Sequence, residues 1–169
     1  LLYGSYQLGL RMVELDAKTG MLKSEKPELI TLTSHLGEGV FLVKGPQYYY
    51  IFASRGRCCK GLESTYQIVM GRSKNIEGPY LNMEGESWVD DHYSVFLAGD
   101  EQEPGRGHNG IFAERDTTYM VYHAYSRSQN GLSLLNIKPL YLTEDQWPSI
   151  TPTKTLFKMD AFQKKVFTG

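Results

Sequence analysis

Hydrophobic residues along this chain come in short runs cut apart by turn signals, which is the pattern of β-strands. Arg11-Met12-Val13-Glu14-Leu15 alternates and runs into Asp16-Ala17-Lys18-Thr19-Gly20, a tight turn. Gly39-Val40-Phe41-Leu42-Val43, a break at Gly45-Pro46 and then Tyr48-Tyr49-Tyr50-Ile51-Phe52-Ala53 read as a hairpin. Tyr66 to Gly71 reads as a strand leading to Gly78-Pro79. Gly110-Ile111-Phe112 and Thr118 to Tyr125 flank a polar turn at Glu114-Arg115-Asp116. Leu132 to Leu142 reads as one more strand region, ended by Gln146-Trp147-Pro148. No stretch keeps a 3.6-residue apolar period. Strands arriving roughly every 10–15 residues predict an all-β sandwich, barrel or propeller. Gly45 to Ser54 and Asp116 to Tyr125 are loosely alike, each a turn followed by an aromatic strand, as repeated blades would be. Ser87 to Gly107 is polar, acidic and broken by Gly and Pro. It reads as a long loop or blade connection, a common place for function.

Composition narrows the picture. The 169 residues are enough for one domain with a hydrophobic core, and 41% hydrophobic with 22% charged is ordinary for a globular protein. Eighteen Lys and Arg against 19 Asp and Glu leave a net charge of -1, so charge gives no reason to expect nucleic acid or an anionic membrane as partner. No run approaches the roughly 18 apolar residues of a membrane span. The first residues carry no signal-peptide pattern and no initiator Met, so the chain reads as processed or as a fragment. Twelve Tyr, seven Phe and two Trp suit strand packing, and also stacking on sugar rings. The two cysteines are adjacent, Cys58-Cys59. Neighbouring Cα atoms lie only about 3.8 Å apart, less than a relaxed disulfide wants, so two buried free thiols are expected, with a strained vicinal disulfide as the other reading.

Few residues carry chemistry. Glu38 opens the apolar run Gly39 to Val43. A strand-edge Glu is ordinarily solvated, but a carboxyl held against apolar neighbours suits a general acid. His108 sits in Gly105-Arg106-Gly107-His108-Asn109-Gly110, where glycines let backbone approach a ligand or simply make a turn. Arg55, Arg57 and Arg72 are either carboxylate clamps or surface charges.

Taken in order, these segments resemble the arabinanase branch of glycoside hydrolase family 43. Tyr3-Gly4-Ser5-Tyr6-Gln7-Leu8-Gly9-Leu10 is similar to that family's Tyr-Gly-Ser-Phe-Trp-x-Gly-Ile segment. Glu38-Gly39-Val40-Phe41 is similar to its Glu-Ala-Pro-Tyr/Phe acid motif. Cys58-Cys59-Lys60-Gly61, Ser64-Thr65-Tyr66, Gly71-Arg72-Ser73 and Gly78-Pro79-Tyr80 follow in the arabinanase order, then Gly107-His108-Asn109, Tyr122-His123-Ala124-Tyr125 and Trp147-Pro148. Gln7 departs from the usual Trp, and Gly39-Val40 from the usual Ala-Pro.

The resemblance implies an all-β, five-bladed β-propeller of which this chain supplies about three blades. Residues 1–150 would form the C-terminal part of the catalytic domain, and 151–169 a tail that packs on or closes it. It implies an inverting hydrolase of α-1,5-linked L-arabinan, with Glu38 as general acid and Ser5, Tyr6, Thr65 and Tyr66 lining the sugar site. His108 would face a metal, Ca²⁺ or another ion held mostly through water. The family's general base and a second, orienting Asp lie upstream of Leu1, so an N-terminal segment of the same propeller is expected as a second chain. A secreted or periplasmic location follows from the same resemblance. An exo-acting arabinofuranosidase or β-xylosidase, a non-catalytic sugar-binding propeller and a nonfunctional partial product remain as alternatives.

Overall fold

The computed structural model describes residues 1–5, 7–35 and 37–160. Four antiparallel sheets follow one another along the chain. The first holds β1 (Leu2–Ser5), β2 (Gly9–Met12) and β3 (Ile30–Thr31). The second is a four-stranded meander of β4 (Glu38–Lys44), β5 (Tyr49–Arg55), β6 (Gln67–Ser73) and β7 (Ser94–Leu97). The third holds β8 (Gly107–Glu114), β9 (Thr117–Ser126) and β10 (Leu132–Pro139). The fourth is small, with β11 (Tyr141–Leu142) between β12 (Pro148–Ser149) and β13 (Thr155–Leu156). Consecutive strands pair with consecutive neighbours in the first three sheets, as in propeller blades.

The continuous apolar run on β5 has a simple cause. Its side chains alternate between two cores, and both are closed. Tyr50 and Phe52 join Val43, Ile68, Met70, Ile111, Met120, Tyr122, Leu140, Leu142, Trp147, Phe157 and Met159 on one side. Ile51 and Ala53 join Leu10, Met12, Leu32, Val69, Tyr80 and Trp88 on the other. Each such large side chain contributes about 1.5–3 kcal/mol by leaving water. Gly71 belongs to this second core because the Trp88 indole lies on it. A Cβ there would sit 2.3 Å from Trp88 Nε1, which donates to the Met70 carbonyl at 3.2 Å.

β9 is different. Thr118, Met120, Tyr122, Ala124 and Ser126 are buried, while Tyr119, Val121, His123 and Tyr125 alternate with them on a half-covered face. On that face Phe112 stacks on Tyr119, and β10 adds Leu135 and Ile137, 72% and 51% exposed. One flank of the third sheet is therefore packed inside the chain, and the other is half-covered and exposes Leu135 and Ile137 on β10.

The hairpins expected at Gly45-Pro46 and at Glu114 to Asp116 are present, and Asp16 closes its turn by accepting from the Lys18 and Thr19 amides. Three expectations need correction. Leu132 to Leu142 is not one strand. Pro139 brings no amide to a ladder, and the Leu140 amide donates to Thr118 at 2.8 Å, so the chain leaves the third sheet there and starts the fourth. Ser87 to Gly107 is not wholly loop, since it holds a 3-10 turn, Trp88–Asp90, and β7. The two cysteines are not buried, because their loop runs outside the sheets: Cys58 is half-buried and Cys59 exposed. The expected tail, 151–169, is described as far as residue 160, where Phe157 and Met159 enter the first core.

Candidate active site

Glu38 is the first residue of β4 and pairs with Ser54 on β5, with a bulge before Phe41. Gly39 makes the bulge with φ +56°, which a side chain would resist. A Cβ there would also meet His108 at 3.4 Å, so the strand carrying Glu38 lies directly against His108. His108 itself has φ +53°, and its amide donates to the Ser54 hydroxyl at 2.7 Å. Ser54, 1% exposed, thus joins the Glu38 strand to the His108 bulge.

Tyr66 completes the arrangement. Its hydroxyl donates to Glu38 Oε1 at 2.7 Å, and its ring stacks on His123 at 5.7 Å between centroids and 21° between planes. Gly107 faces the same ring so closely that a Cβ would lie 2.0 Å from Tyr66 Cδ1. Burial first, then the hydrogen bond to Glu38, push the Tyr66 hydroxyl well above its ordinary pKa of 10. It therefore remains a proton donor to the Glu38 carboxyl across the ordinary pH range. Burial and then the nearby His108 lower the pKa of His123, which keeps that imidazole neutral. Its Nε2 is buried with no hydrogen-bond partner among the described residues, as are both side-chain polar atoms of Asn109.

The expected site residues divide. Glu38, Tyr66 and His108 come together. Thr65 is adjacent, but its hydroxyl accepts from the Arg57 amide at 3.0 Å and so holds the loop. Ser5 is exposed and accepts from the Leu8 amide at 2.9 Å. Tyr6 lies outside the described residues. Arg55 pairs with Asp91 and covers Tyr93, while Arg72 sits between the Tyr48 and Trp147 rings at 4.4 and 4.1 Å. Sequence reading did not single out Ser54 or His123 as site residues. His123 carried a signal, a polar residue on the half-covered alternation of an aromatic strand.

Comparison with known proteins gives the family. The family model described as glycosyl hydrolases family 43 matches residues 1–148. The chain belongs to this family. An extracellular exo-α-(1→5)-L-arabinofuranosidase of Cellvibrio japonicus is 37% identical over 113 residues, 67% of this chain and 33% of that protein. The extracellular endo-α-(1→5)-L-arabinanase 1 of Bacillus subtilis is 32% identical over 151 residues, 88% of this chain and 46% of that protein. Among solved family structures, a Cellvibrio cellulosa α-L-arabinanase complexed with arabinohexaose superposes with a TM-score of 0.80 at 28% identity, over 98% of this chain and 54% of that one. An exo-1,5-α-L-arabinanase from a bovine ruminal metagenomic library gives 0.80 at 31% identity, over 88% and 51%. The fold is the all-β five-bladed propeller of these family members, of which this chain supplies about three blades. The chain spans about half or less of the length of the relatives it matches.

The family resemblance also implied an ion near His108. Among the described residues, no group of three or more His, Cys, Asp or Glu side chains comes together. Ca²⁺ takes six to eight oxygen ligands. The exposed His108 imidazole, with no such cluster around it, does not fit a dehydrated Ca²⁺. An ion there would have to keep most of its own water.

Proposed function

We propose that this chain carries the acid half of an inverting hydrolase of α-1,5-linked arabinan, with Glu38 as general acid. The observation that carries the reading is the 2.7 Å bond from Tyr66 to Glu38, which fixes one carboxyl oxygen at the start of β4, so that in this reading the other is the one presented to a substrate. The arabinan-named relatives, endo and exo alike, support the substrate class.

Inverting hydrolysis uses two carboxyl groups about 6.5–9.5 Å apart. Protonated Glu38 gives its proton to the leaving glycosidic oxygen as that bond to the anomeric carbon breaks. Water attacks the opposite face and passes a proton to the base. Asp91 and Asp100 do not fit the role of base, since they are engaged with Arg55 and Arg106. The base belongs, in this reading, to an upstream segment that packs on the half-covered flank where Leu135 and Ile137 are exposed. The extracellular relatives support a secreted or periplasmic setting.

Glu38→Gln tests the assignment in the complete assembly. Arabinan hydrolysis should fall by about 10²–10⁴-fold or more while oligosaccharide binding survives. A variant keeping more than half of the activity would remove Glu38 from the role.

A further inference from the structure

Cys58 and Cys59 lie in the loop between β5 and β6, and several features of that loop converge on them. Their sulfurs are 2.7 Å apart in a thiol–thiol contact, about 0.7 Å beyond a bonded pair. Cys59 has φ +62°, a left-handed conformation that is uncommon for a residue with a side chain and that turns its thiol back onto Cys58. The loop is tied on both sides. The Arg57 amide donates to Thr65 Oγ1 at 3.0 Å, the Arg57 carbonyl accepts from Ser64 Oγ at 2.9 Å and the Thr65 amide at 3.2 Å, and the Lys60 carbonyl accepts from Glu63 at 3.0 Å. The two thiols are thus held together by a closed frame and remain open to solvent.

We infer that Cys58-Cys59 is a reversible two-electron modification site in the loop that leads into Tyr66, closing to a vicinal disulfide with a small-molecule disulfide as oxidant. The exposed Cys59 thiolate attacks one sulfur of the oxidant. A mixed disulfide forms, and the first small thiol leaves with a proton. Cys58 then attacks Cys59 Sγ, the mixed bond breaks and the second small thiol leaves. Two protein thiols are oxidised and one small disulfide is reduced to two thiols. Left-handed strain at Cys59 is part of what prepares the ring, since the folded chain already holds the closing geometry. The product stays reducible, because adjacent Cα atoms lie nearer than a relaxed disulfide requires. Its location gives the modification consequence: the same loop runs through Ser64 and Thr65, which tie it to Arg57, into Tyr66, whose hydroxyl donates to Glu38.

The test equilibrates the folded protein, and separately the urea-unfolded chain, with buffers of graded oxidised-to-reduced glutathione ratio, then quenches with acid and measures mass and free thiols. The folded protein should lose both thiols and about 2 Da without adding glutathione, at a ratio at least about tenfold lower than the unfolded chain needs. Cys58→Ser should instead stop at a mixed disulfide on Cys59. The inference fails if the folded wild type keeps two titratable thiols, accumulates a stable glutathione adduct, or closes no more readily than the unfolded chain.

Discussion

Gly107→Ala should break the contact between Tyr66 and Glu38 without altering either residue. The new Cβ would sit 2.0 Å from Tyr66 Cδ1 and 2.3 Å from Cε1, where ordinary contacts begin at 3.4 Å. Tyr66 is 2% exposed and His123 stacks on its ring, so the clash is relieved by moving the ring by at least about 1.4 Å. A shift of that size takes a 2.7 Å hydrogen bond beyond bonding distance. Overpacking costs about 1–3 kcal/mol, and leaving a buried tyrosine hydroxyl and its carboxylate unmatched costs about 1–3 kcal/mol more. At about 2–4 °C per kcal/mol for a domain of this size, Tm should fall by roughly 5–20 °C. Gly110→Ala is the control, because its Cβ meets only Val121 Cγ2 at 3.2 Å and should change stability by less than about 1 kcal/mol. Tyr66→Phe removes the hydroxyl alone. Adding Gly107→Ala to it should then cost only the overpacking share, a non-additivity that a double-mutant cycle reads directly. Thermal melts of the four variants, with arabinan assays in the complete assembly, decide the matter. A Gly107→Ala protein that melts within about 1 °C of wild type, roughly the assay error, and hydrolyses at the wild-type rate would refute the proposed geometry.

Exhaustive chelation should lower Tm or rate, and Ca²⁺ at about 100-fold its Kd should restore about 2.7 kcal/mol; unchanged melts would remove the ion from the site. Hydrogen bonds from the Glu103 and Gln102 amides and from Arg106 lower the Asp100 pKa beneath its ordinary 3.8, the Glu103 amide contributing most. A depressed folded-state pKa contributes stability above 3.8 that is lost as pH falls through the lower value, so Asp100→Asn should flatten the acid limb of a stability titration. Separated from its upstream segment, the chain should expose the Leu135 and Ile137 flank and associate or bind hydrophobic dyes, and remixing should restore hydrolysis. A well-behaved 19.2 kDa monomer in light scattering that cleaves arabinan unaided would overturn the need for a complement.

The sequence announced the hairpin of β4 and β5 because β5 is buried on both faces, so its signal is an unbroken apolar run. It hid β7, where Ser94 and Val95 open a four-residue strand inside a polar stretch and pairing with β6 supplies what local pattern lacks. The break at Pro139-Leu140 was equally hidden, since composition does not say which sheet a strand joins. Glu38, Tyr66 and His108 were legible as an ordered series resembling a family. Their contact was not, because it depends on Ser54 and Gly107, small residues whose importance lies in what they allow to approach. The glycines around His108 looked like room for a ligand. Gly107 instead makes room for the Tyr66 ring, and Gly105 for Ser64 and Tyr125.

The placement of Phe157 has a consequence for how the chain is born. Its ring packs edge-on against Tyr50 at 5.2 Å, and the Tyr50 hydroxyl donates to the Gln146 carbonyl at 2.8 Å. Tyr50 leaves the ribosome about 100 residues before Phe157, a wait of roughly 5–20 s at about 5–20 residues per second. Throughout that interval the hairpin of β4 and β5 exists with one greasy side open to the cell. Long-range closure of this kind slows folding and lengthens the time at risk of aggregation. Synthesis of this polypeptide should therefore lean on chaperones until its last strands emerge, and slowing translation should lower its soluble yield.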